Sequence, residues 1–463
     1  MKRQVIRLQT PVLILLVAIS LWQFILLMNS GQETYLKVQA PIEPVSQGSV
    51  SLDPSRLIAP PRMIAHLPNG EFALLRSSSA YYQTLWSTVL KGSLKTMTSL
   101  NPDDLVVVEP EEYSADKVGL DLILPAPISL EHFCEALQIK LLHSDLLDLP
   151  IVNRLYISGS RDDYLLFESG EDQKLYRLPV SSQADVIYNL LEVTQNSVYY
   201  ALTPIDLTPY DFISVNPIYT YRQNPYVAAR DSGKPIPLEL DILAGRFFDD
   251  TAMVRSFTDL NGAIIYYDGV RTMLLLENQK VFPLLELKQS VEVSTDLNVP
   301  LQAMTKELND MQLWPQISEY LFDGVDISED RSIAFYTLVN NGRPIYTLNG
   351  KEQVSGSLRV ESKGETVGAI SITEPVLGST QKQFLSLSVS YVLWRVWSQW
   401  DTFFPEQSPE QTPLRDIYEG YLLNEEQSQV QAVWIIEFYN GCKLFYNMAN
   451  GDYLGLQAAV KDR

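Results

Sequence analysis

The sequence predicts an α+β protein. A single N-terminal transmembrane helix precedes a multi-domain ectodomain of antiparallel sheets with packed helices. Three observations predict it. An uncharged apolar run, "PVLILLVAISLWQFILLM", fills residues 11–28. Asn-Gly pairs, the strongest short-range hairpin signal, place glycines at 70, 262, 342, 350, 441 and 451 between alternating apolar stretches. Other segments repeat their apolar residues at helical spacing. The 463 residues exceed what one core usually serves, and 46% hydrophobic against 20% charged composition supplies enough apolar material for packed cores.

The run at 11–28 follows Lys2, Arg3 and Arg7, and no charge occurs between Arg7 and Glu33. About 20 apolar residues cross a bilayer. A cleavable signal has a shorter apolar core and a small-residue cleavage site, which "LLMNSGQET" does not supply. The run therefore reads as a retained anchor in the lipid bilayer. Its basic flank sets the N-terminus in the cytoplasm and the remaining bulk outside the cell membrane. Residues 1–34 form this tail and anchor. Residues 35–62, with Pro41, Pro44, Pro54, Pro60 and Pro61, read as an extended stalk.

A first α+β domain is expected over 63–203. "RMIAHLPNGEFALLRS" is a hairpin turned at Asn69-Gly70. Tyr82, Leu85, Trp86, Val89 and Leu90 share one helical face, with serines before them as N-cap. "DDLVVVEP" and "VGLDLILPAPIS" read as strands. "SLEHFCEALQIKLL" reads as a helix capped by Ser129, with Leu130, Phe133, Leu137 and Leu141 inward. "NRLYISG", "DYLLFESG" and "KLYRLPV" are short strands, and "SSQADVIYNLLEVTQ" is a helix. Residues 204–288 form a central β-rich domain: a proline-marked opening leads to the strands "VRSFTDL", "GAIIYYDG", "RTMLLLEN" and "KVFPLLEL", with Pro283 at an edge or bulge. In 289–463 a helix-plus-hairpin unit is expected twice. The first copy starts with a helix presenting Leu301, Met304, Leu308 and Met311, followed by strands in "SIAFYTLVNNG", "RPIYTL", "GSLRVESKG" and "VGAISI". The second starts with "FLSLSVSYVLWRVWSQW". Leu385, Leu387, Val389 and Tyr391 alternate as in a strand, but Leu385, Val389, Val392, Leu393, Val396, Trp397 and Trp400 hold helical spacing over a longer window, so a helix is expected. "DIYEGYLL", "AVWIIEFYNG" and "KLFYNMANG" close it as strands.

The residues that carry chemistry in enzymes are thinly spread. The three histidines, His66, His132 and His143, lie far from metal-ligand spacing, and each reads as surface or half-buried. No P-loop, G-x-S-x-G elbow or dinucleotide fingerprint occurs. Asp103-Asp104, Glu111-Glu112, Asp162-Asp163 and Asp249-Asp250 are acid pairs of the kind glycosidases use, but among 56 acidic residues nothing singles one out, so they read as solvated loops. "DGVDISED" at 323–330 departs from the EF-hand spacing. No catalytic, cofactor-binding or metal residue is assigned, and no cofactor is expected. Cys134 and Cys442 sit in apolar patterns and read as two separate buried thiols, with pairing outside the cell as the alternative. A net charge of −21 repels phosphate backbones, which excludes nucleic acid as a partner. Trp394, Trp397 and Trp400 cluster near the end of one helix; core packing is the first reading of them, and a partner-binding patch is the sharper one.

This layout of short basic tail, single span and three-part ectodomain resembles the YycH family of membrane-anchored regulators of the WalK/WalR (YycG/YycF) two-component system of low-GC Gram-positive bacteria. The most specific stretch is "FFDDTAMVRSFTDLNGAIIYYDGVRTMLLLEN", residues 247–278, which is similar to the family's arginine-plus-hairpin segment. "MIAHLPNGEFALL" and the helix after it resemble its first ectodomain segment. The part after 289, with "NNGRPIY", "GYLL" and "VWIIEFYNG", is similar to the partner family YycI. The resemblance implies a non-enzymatic extracytoplasmic regulator of cell-wall homeostasis. Its implied partners are a YycI-like membrane protein and a sensor histidine kinase, reached through the span and the ectodomain. Homo-oligomerisation stays open. Ala18 and Ser20 are small residues near mid-span and G-x-x-x-G is absent there, so side-chain packing would hold a helix pair. The alternatives are a wall-polymer hydrolase with an unrecognised carboxylate pair and a wall-binding sensory module with sugar-stacking aromatics.

Overall fold

The computed structural model describes residues 58–89, 94, 99–109, 118–142, 150–159, 164–169, 174–179, 184–194, 200–210, 212, 214, 216–232, 248, 250–258, 264–270, 272–275, 279–283, 309, 319–327, 332–349, 353–363, 366–373, 377–405, 407–424 and 429–458. The expected anchor at 11–28, most of the stalk, the helix of Leu301 to Met311 apart from Asn309, and His143 lie outside them. Among the described residues no helix is long and apolar enough to cross a membrane. The described chain is mostly sheet with few helices. It divides into two compact units, one holding 237–285 and the other holding 48–236 with 286–463.

The larger unit begins with β1 (Arg62–His66) and β2 (Phe72–Arg76), the hairpin expected at Asn69-Gly70, where Gly70 takes φ 78°. Then come α1 (Ala80–Thr88), β3 (Ser99–Leu100), β4 (Val106–Val108) and β5 (Gly119–Ser129). They are followed by α2 (Leu130–Ala136), β6 (Lys140–Leu141), β7 (Ile151–Ser158), β8 (Tyr164–Ser169) and β9 (Lys174–Pro179). The series ends with α3 (Ala184–Thr194), β10 (Tyr200–Pro204) and β11 (Tyr219–Tyr221). Nine of these strands form one sheet in the order β11-β10-β2-β1-β5-β7-β8-β9-β4, antiparallel throughout. Strand alternation divides its buried residues between two faces. Met63, Ala65, Ala73, Leu75, Leu120, Leu122, Leu155, Ile157, Leu165 and Phe167 form an apolar face. The helices pack on β2, β5 and β7, burying Tyr82, Leu85 and Trp86 of α1 and Ile187 and Leu191 of α3.

The expected helix over "SLEHFCEALQIKLL" is shorter than its periodicity suggested. Ser129 caps it, accepting the His132 N–H, but α2 ends at Ala136. Gln138 takes φ 61°, which reverses the chain, and Leu141 lies on β6 paired with β3. The histidines also differ from expectation: His66 and His132 are buried. The His132 ring bonds Ser129 at the helix cap, so burial leaves it partnered.

β12 (Tyr226–Ser232) leaves the first sheet. In the 237–285 unit, β13 (Arg255–Thr258), β14 (Ile264–Tyr267), β15 (Thr272–Leu275) and β16 (Gln279–Pro283) form the expected antiparallel meander. Asp268 accepts the Val270 N–H at 2.8 Å, Gly269 takes φ 101°, and Tyr266 and Met273 are buried cross-strand partners. Pro283 is the last residue of its strand.

The larger unit resumes with β17 (Glu319–Ile327), β18 (Ser332–Asn340), β19 (Arg343–Asn349), β20 (Gln353–Ser355), β21 (Leu358–Lys363), β22 (Thr366–Thr373) and β23 (Leu377–Leu385). After α4 (Val389–Ser398) and α5 (Trp400–Phe403) come β24 (Leu414–Asn424), β25 (Gln429–Phe438), β26 (Lys443–Asn447) and β27 (Tyr453–Gln457). The run β22-β21-β18-β19-β20-β27-β26-β25-β12-β23 is continuous, and β24 joins β19 in parallel to β25 in antiparallel. Tyr346, Tyr418, Leu422, Val433, Ile435 and Phe445 are the core of this sheet. The segment read as one long helix from Leu385 is two elements. β23 runs to Leu385, and Ser388 then caps α4 by accepting the Tyr391 N–H. Serine hydroxyls at a helix start satisfy donors that have no intrahelical acceptor, which is why the helix begins there.

Candidate partner-binding surface

Helix α4 turns Val389, Val392, Leu393 and Val396 inward, as its helical spacing predicts. The opposite face consists of Ser390, Tyr391, Trp394, Trp397 and Ser398, all exposed and all uncharged. Tyr391, Trp394 and Trp397 are 39%, 48% and 43% exposed, so Trp397 lies off the core stripe to which the sequence pattern assigned it. The Tyr391 and Trp394 rings lie 5.9 Å apart, tilted by 38°. Trp400 behaves differently. It begins α5, is buried, packs on Phe404 and Phe438, and donates its indole N–H to the Gln407 carbonyl at 2.5 Å. Of the three tryptophans, one is core and two form a surface. The helix is held in place by its surroundings. Trp434 donates to the Leu387 carbonyl at 3.1 Å, and Tyr210 donates to the Ser390 carbonyl at 3.1 Å. At the end of β23, Leu385 and its cross-strand partner Tyr226 are also exposed.

The second feature is buried. Register puts Arg76, Arg62, Ile123, Arg154 and Glu168 in one cross-strand row over β2, β1, β5, β7 and β8. The neighbouring row carries Leu74, Ile64, Asp121, Tyr156 and Leu166 on the same face. This face meets the second sheet through charges. Arg62 pairs with Asp416, and Arg76 pairs with Glu419, which Arg343 also reaches at 2.8 Å. Arg415 pairs with Glu437 and donates to the Leu124 carbonyl at 2.7 Å. Lys443 pairs with Asp323, which also accepts from Tyr346 and Gln457 at 3.0 Å each. Arg154 clamps Asp121 through two N–H donors at 3.1 and 2.6 Å and reaches the Pro217 carbonyl at 3.1 Å. His66 lies 3.0 Å from Asp121. Buried charges persist when paired and hydrogen-bonded, and these are.

The titration behaviour follows from this pairing. Burial pushes the Asp121 carboxyl up, but Arg154 and His66 together outweigh it and hold it at about 2. Burial likewise opposes ionisation of Glu437, and Arg415 and Lys443 overcome it, so its pKa falls below the ordinary range. Glu168 is the exception. Burial raises it to about 7 against the pull of Arg154, of its hydrogen bond from Asn216 and of Arg415. Its Oε1 has no hydrogen-bond partner. Burial pushes both thiols, Cys134 and Cys442, up to about 12, and both are free, as expected for separate buried cysteines. A cavity of about 30 Å³ between Arg62, Thr337, Asp416, Tyr418 and Glu437 has room for little beyond a water.

Among the acid pairs, Asp103 and Asp104 are exposed on a 3-10 turn, where Asn101 caps the Asp103 N–H, and Asp250 caps the Ala252 N–H. Glu111-Glu112, Asp162-Asp163 and Asp249 lie outside the described residues. Asp323, at the start of "DGVDISED", is committed to Lys443. The row of Arg62, Arg76, Arg154 and Glu168 and the partners Asp416 and Glu419 on β24 were not singled out from the sequence. Arg62 and Arg76 find their partners Asp416 and Glu419 more than 300 residues away, and even Arg154 and Glu168 reach Asp121 and Asn216, 33 and 48 residues off, so no local spacing marks them.

The chain has a YycH-like fold. The crystal structure of YycH from Bacillus subtilis matches it with a TM-score of 0.56 at 15% identity, covering 90% of this chain and 99% of that one. A crystal structure of an uncharacterized protein from Eubacterium rectale matches more weakly, with a TM-score of 0.33 at 9% identity, over 51% of this chain and 90% of that one. No family model and no curated protein matches.

Proposed function

We propose that the chain is a non-enzymatic, membrane-anchored extracytoplasmic regulator that binds a YycI-like protein and a WalK-like sensor histidine kinase and so modulates cell-wall two-component signalling. The observation that carries this reading is the YycH-like fold across 90% of the chain, which agrees with the resemblance in residues 247–278. The exposed Tyr391, Trp394 and Trp397 supply the aromatic anchors that interfaces favour. The anchor at 1–34, the stalk at 35–62 and the ectodomain parts 63–203, 204–288 and 289–463, the last built of repeated YycI-like units, belong to the same proposal. Regulation then consists of a complex whose assembly shifts the kinase between two conformations.

Glu168 favours a hydrolase as the second reading, because a carboxyl held near neutrality is what a general acid requires. Its surroundings oppose that. Glu168 is 2% exposed, hydrogen-bonded by Asn216 and faced by Arg154, so no polymer reaches it. A sugar-binding module is less well served by rings tilted at 38° than by a flat platform.

The test is a membrane crosslinking pull-down of the full-length chain, beside the same chain with residues 1–30 replaced by an unrelated anchor. Recovery of a sensor kinase with the native span alone places the contact in the span. Equal recovery places it in the ectodomain. Recovery of no kinase with either removes the proposal.

A further inference from the structure

Helix α4 has a surface whose chemistry limits what covers it. Its outer face is Ser390, Tyr391, Trp394, Trp397 and Ser398, without a charge, in a chain of net charge −21. Three segments surround it: the 206–210 turn, which bonds Ser390; the stretch that follows the helix; and the 447–452 turn, where Gly451 lies so close that a Cβ would sit 2.6 Å from the Tyr391 ring. Among the described residues of 200–210, 386–411 and 447–458, the exposed charged side chains are Asp206, Asp401, Glu410 and Asp452. The cation there, Arg395, is half-buried and 4.0 Å from Asp452. The strip is therefore aromatic at its centre and acidic at its rim. A second copy would bring the same acidic rim, and an anionic leaflet would meet like charge, so neither complements it.

We propose that the Tyr391–Trp394–Trp397 strip is the docking site for an amphipathic segment of a partner protein that carries Lys or Arg beside its apolar face. The apolar side chains cover the two indoles. The cations pair with Asp401 and Asp452 and lie over the exposed tryptophan rings, where cation–π attraction adds to charge pairing. This rests on the regulator reading and specifies the character of the partner.

The probes are two synthetic amphipathic helices, one of Leu and Lys and one of Leu and Glu. Each is titrated against the full-length chain in phosphatidylcholine discs, with empty discs subtracted. The Leu-Lys helix is expected to bind at least about 10-fold more tightly than the Leu-Glu helix, the effect of a matched charge rim. The Trp394→Ala/Trp397→Ala variant is expected to lose about 10-fold or more, as for aromatic anchors, and Asp401→Asn/Asp452→Asn a few-fold with a flatter salt dependence. Equal binding of the two helices, or unchanged binding by the tryptophan variant, overturns the proposal. So does strip-dependent self-association in sedimentation, or tighter strip-dependent binding to phosphatidylglycerol vesicles than to the Leu-Lys helix. The kinase pull-down separates the two claims. Kinase recovered equally by wild type and the tryptophan variant leaves the regulator reading standing, and the strip then stands or falls on the peptide titration. Kinase recovered by neither sinks the regulator reading, while the peptide titration still judges the strip.

Discussion

Replacing Glu168 with Gln is the sharpest perturbation of the buried ionic seam. Gln keeps the shape of the neutral acid and removes its ability to ionise. The carboxyl is raised from an ordinary 4.5 to about 7 by burial, against Arg154, Asn216 and Arg415. A group whose folded pKa is raised contributes stability that is fully present below its unfolded pKa and lost as pH rises through the folded one. Glu168 thus costs the fold nothing near pH 4, and its cost grows to a plateau above pH 7. The gap between 4.5 and about 7 corresponds to roughly 3 kcal/mol. With a urea slope of about 2–3 kcal/mol per M, Glu168→Gln is expected to raise the midpoint by about 1 M at pH 8.5 and by nothing measurable at pH 4.5. Urea unfolding followed by tryptophan fluorescence between pH 4.5 and 8.5 reads this directly. Asp121 stays ionised in the folded state throughout this range; its own contribution is lost only as pH falls from its ordinary 3.8 through about 2. Parallel curves for wild type and variant across the range, or a variant less stable at pH 8.5, refute the reasoning.

Three further outcomes are expected. Arg62→Met leaves Asp416 buried without its partner and costs about 3–5 kcal/mol, whereas Arg62→Met with Asp416→Leu recovers most of it, so a double-mutant cycle in urea should be strongly non-additive. Gly342→Ala places a Cβ 2.8 Å from the Arg76 Cβ at φ 73°, and loses at least about 1–2 kcal/mol by thermal unfolding. Cys134 and Cys442, with pKa near 12 and buried, take up no maleimide in the folded chain at pH 7.5 and react fully in denaturant, as counted by mass spectrometry.

Turns were the most legible part of this fold, because their chemistry is local. Asn341 and Gly342 both take positive φ, at 52° and 73°, which is what a two-residue hairpin between β18 and β19 requires and what "NNG" announces. The core stripe of α4 was legible for the same reason, but its start was not. Alternation in "FLSLSVS" and helical spacing in "VSYVLWRV" overlap, and only the Ser388 cap separates them. The ionic seam was not legible at all. In "RMIAH" and "RDIYEGYLL" charged residues are interspersed with apolar ones, which reads as a strand with one wet face. The wet face turns out to be dry because a second sheet covers it. The bond from Arg415 to the Leu124 carbonyl spans 291 residues, and no window of sequence contains both ends. His66 was misread for the same reason: its neighbours Asp121 and Tyr219 come from β5 and β11. The outer face of α4 was legible as aromatic but not as exposed, since exposure depends on which of three tryptophans reaches Phe404 and Phe438.

The central claim is that this chain acts by touching a membrane kinase and not by transforming a substrate. Autophosphorylation of a WalK-like kinase in discs, with the full-length chain added or withheld, tests it most directly. A saturable change in rate that scales with added chain is the predicted result. An unchanged rate with the chain in excess, together with release of soluble fragments from purified wall polymer by the chain alone, would contradict it.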